Sequence, residues 1–172
     1  NPLFAQTTVT IGTGTTTASG TNGTPIYRSS ATSSFHHSKS IQLLTATDLA
    51  TAGIPSGAVI NSWAYNKTTA ASISGANSWT LNVYLKNSTA TALVSGTAWT
   101  TMISGVTLAY TNTITSANFP AVAGYWTWPV TGFVYTGGAI ECYVEWFPAG
   151  TMVSPFTSAA FPWQYTTTAG AQ

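Results

Sequence analysis

Charge is what this sequence has least of. Lys, Arg, Asp and Glu make up 4% of its 172 residues, against roughly 25% in ordinary soluble proteins. The four cations, Arg28, Lys39, Lys67 and Lys86, are scattered along the chain. They form no basic stripe that could neutralise a phosphate backbone, which excludes nucleic acid as a partner. The only carboxylates are Asp48, Glu141 and Glu145, so there is little material for acid–base chemistry or a calcium cage. A single cysteine, Cys142, rules out an internal disulfide. No apolar run approaches the ~20 residues that a membrane-crossing helix requires.

Apolar residues, by contrast, are plentiful at 44%. That suffices for one sizeable core, and residues 7–172 read as a single domain. Its surface has to be built from Ser, Thr, Asn, Gln and Gly. Little charge repulsion then keeps copies of the molecule apart, and self-association is expected.

Segments rich in β-branched and aromatic residues alternate with clusters of Gly, Asn, Ser and Pro. This rhythm predicts an all-β fold, an antiparallel β-sandwich of jelly-roll or immunoglobulin-like type with eight or nine strands. The strands are expected at 7–11, 39–44, 58–66, 78–87, 105–114, 124–130, 132–136, 139–147 and 161–167. Period-2 alternation puts Trp79, Leu81, Val83 and Leu85 on one face and Thr80, Asn82, Tyr84 and Lys86 on the other. The same reading turns Ile140, Cys142, Val144 and Trp146 inward and Glu141, Tyr143 and Glu145 towards solvent. One short helix is expected over 45–53, with Thr45 or Thr47 as N-cap, Asp48 in the first turn and Gly53 as its stop. Residues 19–25 and 72–77 read as loops.

The opening NPLFAQ places Leu3 and Ala5 in the −3 and −1 pattern of an export-signal cleavage site, with Gln6 as the first mature residue. Residues 1–6 therefore read as the remnant of an export signal or as an N-terminal arm. As an arm, Leu3, Phe4, Val9 and Ile11 supply the apolar side chains for adding a strand to the edge of a neighbouring subunit.

VTIGTGTTTASGTNGTPIY, LLTATDLATAGIPSGAVINSWAYNKTT and LNVYLKNSTATAL together resemble a β-sandwich module recurrent in secreted and cell-surface proteins of Bacteroidota. The matching positions are residues 11–15, Tyr27, residues 45–53 and residues 57–66, with Tyr65 where the family usually carries Phe. The later WPVTGFVYTGGAIECYVEW is similar to the family's PFxYxGxxNLxVEV stretch. The resemblance spans nearly the whole chain. It implies export by the type IX secretion route and an adhesive or accessory role, and it carries over no catalytic residue.

The residues themselves offer little chemistry. Glu141 and Glu145 lie four positions apart on one expected strand, about 13 Å at ~3.3 Å per residue, too far for the ~5–9.5 Å carboxylate pair of a glycosidase. Adjacent His36 and His37 point to opposite faces of a strand, and no third metal ligand accompanies them. Either histidine could join Asp48 and a serine, but no nucleophile-elbow sequence is present. No enzyme activity, cofactor or metal is expected. Trp126 and Trp128 share one face, as do Phe161, Trp163 and Tyr165. Their ~7 Å spacing suits either a platform for sugar rings or the inward row of a sandwich core. The expected function is an exported, non-catalytic structural or adhesive protein of the cell surface, a filament subunit joined by strand addition. Its expected partners are other copies of itself or other surface proteins. The alternative is a carbohydrate-binding module that uses Trp126, Trp128, Trp163 and Tyr165 to hold polysaccharide.

Overall fold

The computed structural model describes residues 6–12, 16–17, 25–26, 28–29, 37–73, 76–94, 96–151, 159–160 and 163–165. Two-residue strands β1 (Thr16–Thr17) and β2 (Arg28–Ser29) precede β3 (Ser38–Leu44), helix α1 (Ala46–Thr51), β4 (Val59–Lys67) and β5 (Ser78–Ser88). Helix α2 (Trp99–Met102) follows, then β6 (Thr107–Thr115), β7 (Gly124–Val134), β8 (Ala139–Pro148), β9 (Ala159–Ala160) and β10 (Gln164–Tyr165). A four-stranded sheet in the order β3-β8-β5-β6 packs against the pair β4-β7, and β1-β10 and β2-β9 form short additional pairs. Every pairing is antiparallel. This is the expected all-β sandwich.

The alternation read from β5 and β8 holds on the inner face. Trp79, Leu81, Val83 and Leu85 are buried beside Ile140, Cys142, Val144 and Trp146, and the rings of Trp79 and Trp146 stack at 5.5 Å with 6° between their planes. From β7, Trp126, Trp128, Val130 and Phe133 complete the core. At the start of α1 the Thr45 hydroxyl accepts the Asp48 backbone N–H (3.2 Å), and the Asp48 carboxylate accepts that of Thr45 (2.9 Å). This reciprocal capping box satisfies two donors that the first turn leaves open. Gly53 at φ +75° ends the helix, as expected.

Several expectations need correction. Residues 7–11 join no sheet. The two strands expected at 124–130 and 132–136 are one, β7; the register shifts between Ile60 and Ser62, where residues 130–132 of β7 stand opposite Asn61 alone. In the last expected strand, 161–162 and 166–167 lie outside the described residues, Gln164 and Tyr165 form β10, and Trp163 makes an isolated bridge to Lys67. A second helix, α2, is present besides α1. Its N-cap Ala98 contributes no side-chain hydrogen bond, so this single turn left no capping signal to read. One glycine is required by space: at Gly138 (φ +81°), a Cβ would stand 2.6 Å from the Ser88 carbonyl oxygen.

Candidate functional site

Of the aromatic residues offered as a glycan platform, Trp126, Trp128 and Trp163 face inward. Trp126, Trp128 and Trp163 are 8%, 0% and 1% exposed, which leaves no ring face for a sugar to stack on. Sharing a face was legible from period 2; which side that face takes depends on the opposing sheet. Here the sheet covers it, and Tyr110 of β6 stacks on Trp128 at 6.4 Å and 9°. Outward alternation leaves Tyr125 as the exposed ring of β7 instead. Tyr165 pairs through its backbone with Thr16; Phe161 lies outside the described residues.

Trp163 occupies a slot at the margin of this aromatic core. Its ring is stacked on Trp126 (6.3 Å, 11°) and edge-on to Tyr65 (6.2 Å, 75°). Its indole N–H donates to the Ile26 carbonyl at 2.8 Å, a contact between residues far apart in sequence. The Lys67 that it bridges is fully buried. Lys67 Nζ donates to the Thr69 carbonyl (2.7 Å) and sits 5.7 Å from the centre of the Phe119 ring. Burial lowers its pKa, because removing an ammonium from water disfavours the charged form. The signal for this lysine was present: alternation along β4 puts Lys67 on the same face as Trp63 and Tyr65.

Lys39, Lys86, Glu141 and Glu145 gather on the outer face of the four-stranded sheet. Lys39 pairs with Glu145 (3.2 Å) and Lys86 with Glu141 (3.3 Å). Asn82 and Tyr84 also donate to Glu145 (3.2 and 3.4 Å), and the Ser88 and Tyr143 hydroxyls donate to Glu141. Glu141 was expected to face solvent, yet it is 7% exposed. Lys86, Ser88 and Tyr143 close around its carboxylate, and α2 in turn lays Trp99 edge-on against Tyr143 at 5.9 Å and within 5.3 Å of Lys39 Nζ. Burial opposes ionisation of Glu141, but hydrogen bonds from Ser88, Tyr143 and Lys86 outweigh it and hold the carboxyl below its usual value. Burial, followed by the bond to Glu141, pushes Tyr143 up; burial and Glu145 do the same to Tyr84. Both tyrosines therefore stay neutral donors. The cluster is a set of mutually satisfied pairs and positions neither a nucleophile nor a base.

Cys142 is buried within 3.5 Å of the Tyr65 hydroxyl, which donates to Gln42 at 2.6 Å. Burial pushes its thiol up to about 12, so it stays protonated and unreactive. Asp48 is occupied by its capping box, and His36 lies outside the described residues. Among the described residues, no group of three or more His, Cys, Asp or Glu side chains is placed to hold a metal ion.

Of the expected assembly arm, Ile11 packs against its own core while Val9 stays exposed; Leu3 and Phe4 lie outside the described residues. The edges are more informative. β6 ends the four-stranded sheet and β7 ends the β4-β7 pair, and the two lie alongside each other on one flank of the sandwich. Neither strand contains a charged residue, and neither pairs on its outer side among the described residues. Leu108, Tyr125 and Val134 are exposed along them. β7 includes Pro129, a residue tolerated in sheets at edges because it lacks a ladder donor. β6 has neither proline nor glycine to blunt it.

No known protein family, curated protein or solved structure matches this chain. The geometry of the flank, the slot and the charge cluster thus carries the functional argument.

Proposed function

We propose that this protein is an exported, non-catalytic structural subunit of the cell surface that joins copies of itself, or other surface proteins, through uncharged strand edges. The observation that carries the reading is where the charges sit. Lys39, Lys86, Glu141 and Glu145 are paired on the outer face of one sheet, and the β6–β7 flank has none. Natural sheets protect exposed edges with lysine, proline or bulges that twist the edge away. β6 carries a bulge opposite Val83 and Tyr84, but its edge has no charge to repel another strand. Export to a Bacteroidota surface by the type IX route is supported by the sequence resemblance and the signal-like opening. Polysaccharide binding through Trp126, Trp128 and Trp163 is not carried forward, because those rings are buried.

Sedimentation and negative-stain microscopy of the purified chain test this reading. Concentration-dependent assemblies are expected. They should survive a change from about 0.01 M to about 1 M salt, over which the Debye length falls from ~30 Å to ~3 Å, because few charges oppose or drive the contact. Thr113→Lys, at an exposed position of β6, should restore an edge charge and reduce association while leaving the fold intact. Monomers at every concentration and salt would refute the proposal.

A further inference from the structure

Residues 6–12 have the makings of a strand and belong to none. Thr7, Val9 and Ile11 alternate with Gln6, Thr8 and Thr10, and Thr, Val and Ile are residues that favour strands. Yet the segment lies in no strand, turn or bend, and among the described residues its backbone has no hydrogen-bond partner. Residues 6–10 are exposed. Ile11, packed against the core, pins the end of the segment to its own subunit. A strand sequence that finds no ladder in its own chain is completed by a second chain.

The edges differ in what they can accept. On one flank, Trp163 bridges Lys67 of β4 beside β10, which pairs with β1, and the Ser40 hydroxyl of β3 donates to the Pro25 carbonyl just before β2. β3 and β4 also contain Lys39 and Lys67. On the other flank, β7 includes Pro129 and its register is interrupted. β6 is left as the edge with neither charge, proline nor glycine. No charge precedes Arg28 either, so arm and edge match electrostatically.

The side chains match as well. Thr111 and Thr113 are exposed on the outer face of β6, where the Thr111 hydroxyl donates to Asn82 at 2.7 Å; on its inner face the half-buried Tyr110 ring stacks on Trp128. A strand laid beside β6 with Thr8 and Thr10 outward continues the threonine row and brings Val9 down next to Tyr110. Threonine pairs and β-branched–aromatic pairs are favourable cross-strand neighbours.

We propose that residues 6–10 of one subunit add as a fifth strand to the β6 edge of a second copy of this chain. The inference rests on the self-assembly proposed above and names its two faces. Five residues span about 17 Å, an ordinary strand length. The arm leads into β1, on the flank opposite β6, so the contact joins unlike surfaces and repeats head to tail.

Full-length variants test this by sedimentation. Thr8→Pro/Val9→Pro disables the arm: adjacent N–H groups of a strand point to opposite sides, so one of the two lost donors faces the ladder. Thr113→Lys disables the edge. Each variant alone should stay monomeric where wild type assembles. Mixed in equal amounts they should form dimers and stop there, because the Thr113→Lys chain lends its arm to the intact edge of the other and no working arm or edge is left to extend the pair. In wild type, the amides of residues 7–10 should exchange with solvent on the order of tenfold more slowly in the assembly than in dilute monomer. If the arm variant assembles as wild type does, if the mixture yields no dimer, or if those amides exchange equally fast in both states, arm addition is overturned and direct edge-to-edge association stands. If the wild type is monomeric throughout, both fall.

Discussion

Replacing Lys67 with methionine should stabilise the protein at neutral pH, although the change removes a hydrogen bond. Lys67 is fully buried, and among the described residues its ammonium meets the Thr69 carbonyl and the Phe119 ring, with no carboxylate beside it. Exchanging buried ionic groups for apolar ones of similar volume is commonly neutral or stabilising by about 1–4 kcal/mol. Against this stands the carbonyl left behind, which costs about 1–3 kcal/mol when it stays buried. Thr69 is exposed, so water can take over that bond and the cost falls at the low end. The lost ring contact is worth about 0.5–2 kcal/mol. At mid-range these terms leave a small net stabilisation, on the order of 0.3 kcal/mol at pH 7. The pH dependence fixes the cause. Because burial lowers the folded-state pKa of Lys67, the folded protein binds fewer protons than the unfolded chain between that value and the ordinary lysine value. Wild-type stability therefore rises with pH across this window. The penalty is fully present below the folded pKa and gone above the unfolded one. Urea unfolding of wild type and Lys67→Met in parallel, from neutral pH upwards, should show the variant's advantage shrinking as pH approaches about 10.4. A variant less stable than wild type at pH 7, by an amount that does not change with pH, would refute the reasoning: the charge would then be a net contributor where it sits.

Two further substitutions probe other parts of the fold. Trp163→Phe keeps a ring between Tyr65 and Trp126 but removes the donor to the Ile26 carbonyl; a loss of about 1–3 kcal/mol is expected from denaturant midpoints, and no measurable loss would show that the N–H bond does not hold the segment in place. Glu141→Gln keeps an acceptor for Ser88 and Tyr143 but loses the charge, with an expected cost of about 1–3 kcal/mol at pH 7. Because the folded pKa of Glu141 is lowered, that cost should fade as acid takes the wild type down through it, and a cost undiminished at low pH would exclude the carboxylate as its source.

The inner faces were legible because they depend on local alternation. In β5 and β8 every second side chain is apolar, and the same residues meet across the sandwich. Outer faces are decided by whatever lands on them. Tyr143 read as solvent-facing because nothing near it in sequence announces Trp99, which arrives more than forty positions earlier on a one-turn helix without a side-chain cap, and Glu141 because Lys86 and Ser88 reach its carboxylate from β5. Lys67 posed the opposite problem. Its face was readable from Trp63 and Tyr65, but a lysine at a strand end ordinarily carries its amine out to water. Here the amine turns instead to the Thr69 carbonyl and to the ring of Phe119, far along the chain.

The same distinction separates scarcity of charge from its placement. Composition announced that few ionic groups exist, and a uniform scatter of them would still have guarded each edge with an occasional lysine. Strand register decides otherwise. It brings Lys39 opposite Glu145 and Lys86 opposite Glu141, so both pairs lie on one face. Arg28 is on β2, Lys67 is in the core and Asp48 caps a helix. β6 and β7 are then left with amides, hydroxyls and apolar side chains along edges whose backbone groups have no strand partner on the outer side among the described residues. A surface of that kind gains little from charged ligands and much from another strand, so the folded arrangement, more than the composition, is what argues for assembly.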